Sequence, residues 1–136
     1  MPYWRLFYHA VWTCKNREPL IRSEFEDDLH QYMIRKGRSL SAKMHKVGGI
    51  EDHVHIVFSI APKITVAGFI GKIKGASSHW VTHIIRNGEF FQWQDEYGIV
   101  SFGEENLPDV ISYVDRQREH HMKNNIEPRF ELCNNE

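Results

Sequence analysis

Hydrophobic and polar residues alternate with different periods along this chain, and the changes of period divide it into seven elements. Aromatic and β-branched stretches predict four strands, at about 3–13, 41–49, 53–60 and 97–102. Apolar residues at helical spacing predict three helices, at about 23–36, 65–86 and from 106 onward. The order β-α-β-β-α-β-α indicates an α+β fold. Its first six elements match the ferredoxin-like βαββαβ pattern, an antiparallel four-stranded sheet with two helices on one face, and the C-terminal helix is extra.

Local signals indicate where these helices begin and end. Ser23 is the expected N-cap of the first helix, and Gly37 is expected to end it. Thr65 is the expected N-cap of the second helix, whose glycines either weaken it or mark a close approach of another backbone. Pro108 lies near the first turn of the third helix, where its missing N–H is not needed.

Composition narrows the class of protein but does not name a function. The length of 136 residues predicts a single domain, 1–136, since no repeat or long linker divides it. No membrane-spanning apolar run, no signal peptide and no disulfide or zinc spacing is expected, so a cytoplasmic location is predicted. A net charge of −1 argues against a protein that coats DNA through bulk charge, but it is compatible with a local basic groove.

The candidate chemistry begins in the third strand, where His53 and His55 flank Val54. Because side chains of a strand alternate between faces, both imidazoles lie on one face, with their Cα atoms roughly 6.5 Å apart. Two imidazoles at that distance can share a divalent metal ion. A pair of this kind is, by itself, more often a packing or surface pair, so further ligands are needed.

The last helix offers them. At about 100° per residue, one stripe of this helix is apolar and is expected to face the core; it consists of Leu107, Val110, Ile111 and Val114. A flank beside the stripe carries Tyr113, Gln117 and His120, within about 60° of one another. If this flank faces the histidine strand, the amide oxygen of Gln117 can serve as a third metal ligand, and Tyr113 lies over the metal.

Such a constellation suits phosphodiester chemistry. A divalent metal polarises the phosphate, and a tyrosine oxygen can attack phosphorus and hold one end of the strand covalently. The covalent link conserves the bond energy, so a 3′-OH can later rejoin the strands. Two neutral imidazoles and an amide suit Mg²⁺ or Mn²⁺, bound jointly by protein and phosphate, and are a poor closed zinc site.

At these residues the chain resembles the single-tyrosine HUH transposases, the small transposases of simple bacterial insertion sequences, and their relatives associated with repetitive extragenic palindromes. The resemblance covers about residues 3–125, and one departure from it is the pair Asp95-Glu96 before Tyr97, where the family often has glycine. The matching segments are Val47-Gly48-Gly49, Asp52-His53-Val54-His55, Lys72-Ile73-Lys74-Gly75-Ala76-Ser77-Ser78, Trp93-Gln94, Tyr97-Gly98 through Ser101, Tyr113-Val114-Asp115-Arg116-Gln117 and His120-His121.

The resemblance implies roles that composition and spacing do not show. Tyr113 would be the nucleophile that forms a 5′-phosphotyrosine, and His53, His55 and Gln117 would be the metal ligands. The substrate would be single-stranded DNA, commonly folded into hairpins at the element ends. The protein would act as a homodimer, in which the tyrosine helix can complete the partner's active site. Phosphate contacts would come from Lys72, Lys74, Ser77 and Ser78.

Two other functions compete with this one. A non-catalytic nucleic-acid-binding module on a ferredoxin-like sheet would stack bases on exposed aromatic residues and would not cleave; the combined His, Tyr and Gln set disfavours it. A small metal-dependent oxygenase or isomerase of the β-barrel type also uses a His-x-His pair, but that fold needs many more strands, and the predicted helices argue against it.

Overall fold

The computed structural model describes residues 3–85 and 90–117, which form a four-stranded antiparallel sheet packed between helices. The strand order is β2-β3-β1-β4, the ferredoxin-like order, so the predicted fold class is confirmed. Among these described residues, no helix has the length and apolar character needed to cross a membrane. The elements are β1 (Tyr8–Thr13), α1 (Ser23–Ser39), β2 (Lys43–Ile50), β3 (His53–Ser59), α2 (Val66–Trp80), β4 (Gly98–Ser101) and α3 (Leu107–Asp115).

The two faces of the sheet are covered by different helices. Val54, Ile56 and Phe58 of β3 belong to the main core, together with apolar side chains of α1 and α2. Val57 of β3 lies in a second, smaller cluster with the apolar residues of α3. Because both faces are covered, every residue of β3 is buried, including the polar His53, His55 and Ser59. The alternation therefore directs His53 and His55 toward the α3 side.

The first helix begins at the predicted residue, but its N-cap and its end differ from the prediction. Ser23 is the first helical residue, and the preceding residue caps the helix without a side-chain hydrogen bond, so the predicted N-cap is wrong. The helix also continues through Gly37 to Ser39, and a Cβ atom at Gly37 would collide with Met44 of β2. The turn that ends it places Ser41 at φ 69°, and the N–H of Ala42 donates to the carbonyl of Gly37 at 3.1 Å.

The second helix begins as predicted. The Thr65 hydroxyl accepts a hydrogen bond from the Gly68 N–H at 3.1 Å, which is the expected capping interaction. Regular α-helix ends at Trp80, and a π-helical turn follows over Val81–Ile85. The predicted end near residue 86 lies outside the described residues, as do His120 and His121.

The third helix packs against β2 and β3, and its backbone approaches the backbone of β2 closely. A Cβ atom at Gly48 of β2 would lie 2.6 Å from the carbonyl oxygen of Val114 and 2.9 Å from its Cγ1. The absence of a side chain at Gly48 therefore lets α3 approach the strand closely. Tyr113 and Gln117 are buried together with Val110 and Val114, whereas Leu107 and Ile111 of the predicted apolar stripe are half-buried.

Candidate active site

The two imidazoles of β3 form the centre of the site. His53 and His55 are 2% and 0% exposed, and their ring centroids lie 5.0 Å apart with the planes inclined at 70°. The prediction that both rings share one face of the sheet is confirmed by their position opposite the α1 and α2 core. Buried polar rings need hydrogen-bond partners, and neighbouring side chains supply them.

Gln117 reaches His53 from the end of α3. Its Oε1 lies 3.2 Å from His53 Nε2, and its own Nε2 donates to the carbonyl of Tyr113 at 3.4 Å. The second bond orients the amide so that the oxygen faces the imidazole. Regular helix ends at Asp115, and Arg116 departs from helical geometry at φ −111° and ψ 32°. Gln117 is 1% exposed, so this amide is held inside the protein.

Both imidazoles are engaged through Nδ1. His53 Nδ1 lies 2.7 Å from the Asp52 carboxylate, and His55 Nδ1 lies 2.8 Å from Nε2 of His9 on β1. A ring hydrogen on Nδ1 places the lone pair on Nε2, and metal-ligating histidines are commonly oriented by such an outer partner. Nε2 is therefore the candidate ligand atom in both histidines.

Tyr113 lies beside the imidazole pair in the same subunit. Its ring centroid is 6.2 Å from that of His55, with the planes at 76°, and the residue is 7% exposed. It is one turn before Gln117 and packs with Val57, Val110 and Val114. The phenol, the imidazoles and the amide thus come together within one chain.

The donor set fits a hard divalent cation. Two imidazole nitrogens and an amide oxygen are neutral N and O donors, and Mg²⁺ or Mn²⁺ held by them would draw its remaining ligands from substrate oxygens and water. Within residues 3–85 and 90–117, no group of three or more His, Cys, Asp or Glu side chains is placed to hold a metal. His53, His55 and Gln117, a set that includes an amide, would hold the ion.

An open groove of about 440 Å³ leads to this amide. It runs between α1, β2 and α3, and Gly48 and Gln117 are part of its lining. His30 of α1 also lines the groove, and burial lowers the pKa of this imidazole to about 4. Along the rim, Lys46 forms an ion pair with Asp115 at 2.6 Å. Of the candidate site residues, Gln117 lines this groove, whereas His53, His55 and Tyr113 lie outside its lining.

The hydroxyl groups expected to contact phosphate lie on α2, across the sheet from the imidazoles. Ser77 is fully buried; its hydroxyl donates to the carbonyl of Ile73 at 2.7 Å and accepts from Trp93 Nε1 at 2.9 Å. The half-buried Ser78 donates to the carbonyl of Gly75. Ser77 therefore packs α2 against the loop of Trp93 and offers no exposed hydroxyl to a phosphate, contrary to the expectation from sequence.

The two lysines of α2 differ in their surroundings. The Lys74 ammonium donates to three consecutive backbone carbonyls, those of Gln94, Asp95 and Glu96. Lys74 therefore holds the loop that contains Asp95 and Glu96, the acidic pair at which this chain departs from the family pattern. Lys72 is exposed and lines a shallow groove near the N-terminus of α2. The structure brings neither lysine to the imidazoles.

Sequence reasoning assigned no role to two residues of the site. Asp52 belongs to the quoted segment, but its contact with His53 requires the turn between β2 and β3 to place the carboxylate beside the ring. His9 lies in the first predicted strand, and its contact with His55 depends on the pairing register of β1 and β3. A search for histidines on strands adjacent to β3 would have found His9, once the strand order was known.

Comparisons with known proteins identify the family. Residues 2–117 match the sequence model of the IS200-like transposases. This match covers most of the chain, so the chain belongs to that family, which confirms the resemblance to the single-tyrosine HUH transposases. The ISDra2 transposase TnpA of Deinococcus radiodurans is 22% identical over 121 residues, covering 85% of this chain and 86% of the relative. The transposase of insertion sequence element IS200 from Salmonella typhimurium is 25% identical over 123 residues, covering 85% and 79%.

Solved structures show the same fold. A crystal structure described as that of a transposase from Deinococcus radiodurans aligns with a TM-score of 0.70 and 19% identity, over 86% of this chain and 95% of the other. A REP-associated tyrosine transposase bound to a REP hairpin aligns with a TM-score of 0.64 and 13% identity, over 93% and 76%. At these identities the likeness supports the shared sheet and helix arrangement.

Proposed function

We propose that this transposase cleaves and rejoins single-stranded DNA by transesterification, with Tyr113 as the nucleophile. The observation that carries the proposal is the placement of the Tyr113 phenol beside His55, one turn before Gln117, whose amide oxygen lies 3.2 Å from His53 Nε2. A tyrosine that only fills an apolar core is surrounded by apolar side chains, whereas Tyr113 also lies beside two buried imidazoles and a buried amide.

The reaction conserves the number of phosphoester bonds. The Tyr113 oxygen forms a bond to phosphorus while the bond from phosphorus to the 3′ oxygen breaks, and the departing oxygen takes a proton to become a 3′-OH. The product is a 5′-phosphotyrosine, and attack by another 3′-OH reverses the step and joins two strands. Mg²⁺ or Mn²⁺ held by His53, His55 and Gln117 would neutralise charge on the scissile phosphate.

Each protein group has a separate task in this scheme. The packing of Tyr113 against Val57, Val110 and Val114 limits the positions of the ring, whose centroid lies 6.2 Å from that of His55. The Gln117 amide donates to the Tyr113 carbonyl at 3.4 Å, so the third ligand is oriented by the backbone of the nucleophile's own turn. Asp52 holds the His53 ring in the orientation that directs Nε2 toward the amide.

The proposed substrate is a DNA hairpin with a single-stranded flank, as expected at the ends of an insertion element. The solved REP-associated relative was captured on a REP hairpin, which supports this class of substrate here. We further propose a homodimer whose two active sites are each completed in cis. The contact of Tyr113 with His55 within a single subunit supports the cis arrangement.

The decisive experiment is a covalent-adduct assay. The chain is incubated with Mg²⁺ or Mn²⁺ and hairpin oligonucleotides taken from DNA beside its gene, and the products are separated on a denaturing gel. A 5′-phosphotyrosine attaches the protein to the DNA on the 3′ side of the cut, so a 3′ label is expected to migrate with the protein and a 5′ label is not.

Two variants separate the assignment from its alternatives. Tyr113→Phe removes one oxygen and is expected to abolish the adduct, whereas Tyr32→Phe, on α1 and stacked on Trp80 at 4.8 Å, is expected to retain it. An adduct formed by Tyr113→Phe would refute the nucleophile. Hairpin binding by the unaltered chain without any adduct in either metal would instead favour the non-catalytic binding module.

A further inference from the structure

We propose that His9 is a positioning residue that fixes the tautomer of His55 and so makes its Nε2 available to the metal; this inference rests on the proposed function of the site. His9 Nε2 lies 2.8 Å from His55 Nδ1, and the two rings stack with centroids 5.0 Å apart and planes inclined at 26°. The residues are 2% and 0% exposed. A hydrogen bond this short, between two rings shielded from water, constrains the hydrogen positions of both.

The contact is a direct result of strand register. In the antiparallel pair of β1 and β3, Val11 lies opposite His55 and His9 lies opposite Val57. His9 is therefore the diagonal neighbour of His55 on the same face of the sheet, within reach of a long or aromatic side chain. A slip of the register by one residue would turn His9 to the opposite face.

The chemistry of the imidazole pair allows two arrangements. A neutral imidazole carries one hydrogen, so one ring nitrogen donates and the other accepts. If His9 donates from Nε2 to His55 Nδ1, the hydrogen of His55 lies on Nε2, and that atom cannot bind a metal. If His55 donates from Nδ1 to His9 Nε2, the lone pair of His55 lies on Nε2. Metal binding through Nε2 therefore requires His9 to be the acceptor.

The tautomer of His55 needs a separate explanation, because the partner of its Nδ1 differs in kind from the partner of His53. His53 Nδ1 faces the carboxylate of Asp52, and an ionised carboxylate accepts but does not donate. When Nε2 of His53 binds the ion, its ring hydrogen lies on Nδ1, and the Asp52 carboxylate can only accept it. The partner of His55 is an imidazole, which orients the ring without adding a second negative charge where a phosphate is to bind.

Replacing His9 tests this role. His9→Leu removes the acceptor and keeps much of the volume, and Mn²⁺ affinity is expected to fall by about 10- to 100-fold, the usual effect of losing an outer-shell partner. His9→Gln places an amide oxygen near the position of the lost Nε2, and its affinity is expected to return to within about threefold of the unaltered chain. His45→Leu is the matched control, because His45 bonds to Ser59, four residues along β3 from His55.

Two readouts on the full chain separate this role from a merely structural one. Nitrogen-15 spectra of the imidazoles report the tautomer directly, without DNA or turnover, and Mn²⁺ titration by electron paramagnetic resonance reports affinity. Hydrogen on His55 Nδ1 in the unaltered protein, and its loss in His9→Leu, would support the proposal. Hydrogen on His55 Nε2 in the unaltered protein, or unchanged Mn²⁺ affinity in His9→Leu, would overturn it.

The same measurements distinguish failure of this inference from failure of the proposed function. If the unaltered chain binds no Mn²⁺, the metal site itself is refuted, whatever the tautomer. If it binds Mn²⁺ and forms the DNA adduct but His55 carries its hydrogen on Nε2, the role of His9 alone is refuted. Should His9→Leu fail to fold, the tautomer spectrum of the unaltered protein and the affinity of His9→Gln still decide the question.

Discussion

The contact between Gly48 and Val114 predicts that a single methyl group will disturb the candidate active site. In Gly48→Ala the new Cβ would lie 2.6 Å from the Val114 carbonyl oxygen, whereas ordinary contact begins near 3.4 Å. The obstructing atom is backbone, so α3 must move by roughly 0.8 Å, the difference between these distances, or the strand must yield. Either change is transmitted to Tyr113 and Gln117, which lie on the same segment.

The expected magnitudes follow from that displacement. Overpacking of this kind costs about 1–3 kcal/mol of unfolding free energy. Moving Gln117 by a similar amount would change the 3.2 Å separation between its Oε1 and His53 Nε2, the two ligand atoms that must share the ion. A misplacement near 1 Å typically reduces a rate by about 100-fold. We therefore expect a loss of adduct formation that is larger than the loss of stability would explain.

The assay compares Gly48→Ala with Gly71→Ala. A Cβ at Gly71, on an exposed turn of α2, would meet no heavy atom within 4 Å, so this control should be neutral or more stable by up to about 1 kcal/mol. Urea unfolding followed by tryptophan fluorescence gives the free energy of unfolding. The rate of adduct formation, measured without denaturant, gives the activity. If Gly48→Ala keeps both the stability and the rate of the unaltered chain, the backbone contact does not position the tyrosine helix.

Three further predictions test neighbouring features. Burial lowers the pKa of His30 to about 4 from 6.5, so as the pH drops the unfolded chain binds a proton before the folded one does. The free energy of unfolding should therefore fall between about pH 6.5 and about pH 4, and His30→Gln should flatten that dependence in urea titrations. Asp52→Ala should weaken Mn²⁺ binding by about 10- to 100-fold in a calorimetric titration. Ser77→Ala leaves the buried Trp93 indole N–H without its partner, so the melting temperature should fall, with a loss of unfolding free energy of about 1–3 kcal/mol. Hairpin affinity should stay unchanged. Reduced affinity with intact stability would show instead that Ser77 contacts phosphate.

Sequence periodicity predicted the parts of the fold that depend on local patterns. The alternation in β3 placed His53 and His55 on one face, and helical spacing placed Tyr113 and Gln117 on one flank of the last helix. These inferences need no knowledge of other elements, because period 2 and period 3.6 are properties of one segment. The strand order followed from the sequence of elements together with the ferredoxin-like pattern.

Features that depend on contacts between different elements could not be predicted from the periodicity of a single segment. Gly37 was predicted to end α1, but its lack of a side chain is explained by Met44 on a neighbouring strand. Ser77 was predicted to contact phosphate, although its hydroxyl is used by Trp93, sixteen residues later in the chain. The partnership of His9 with His55 depends on register, which hydrophobic patterns specify only after two strands have been paired.

The charges around the candidate site bear on how DNA would be held there. The net charge of the chain is −1, and Lys46, on the rim of the groove that Gln117 lines, is paired with Asp115. The imidazoles and the amide that converge on the site are neutral donors when they bind a metal. A phosphate at the Tyr113 oxygen therefore meets little fixed positive charge from these groups. In the proposed mechanism the divalent ion supplies that charge, so binding of the scissile phosphate, and not its cleavage alone, is expected to depend on the metal.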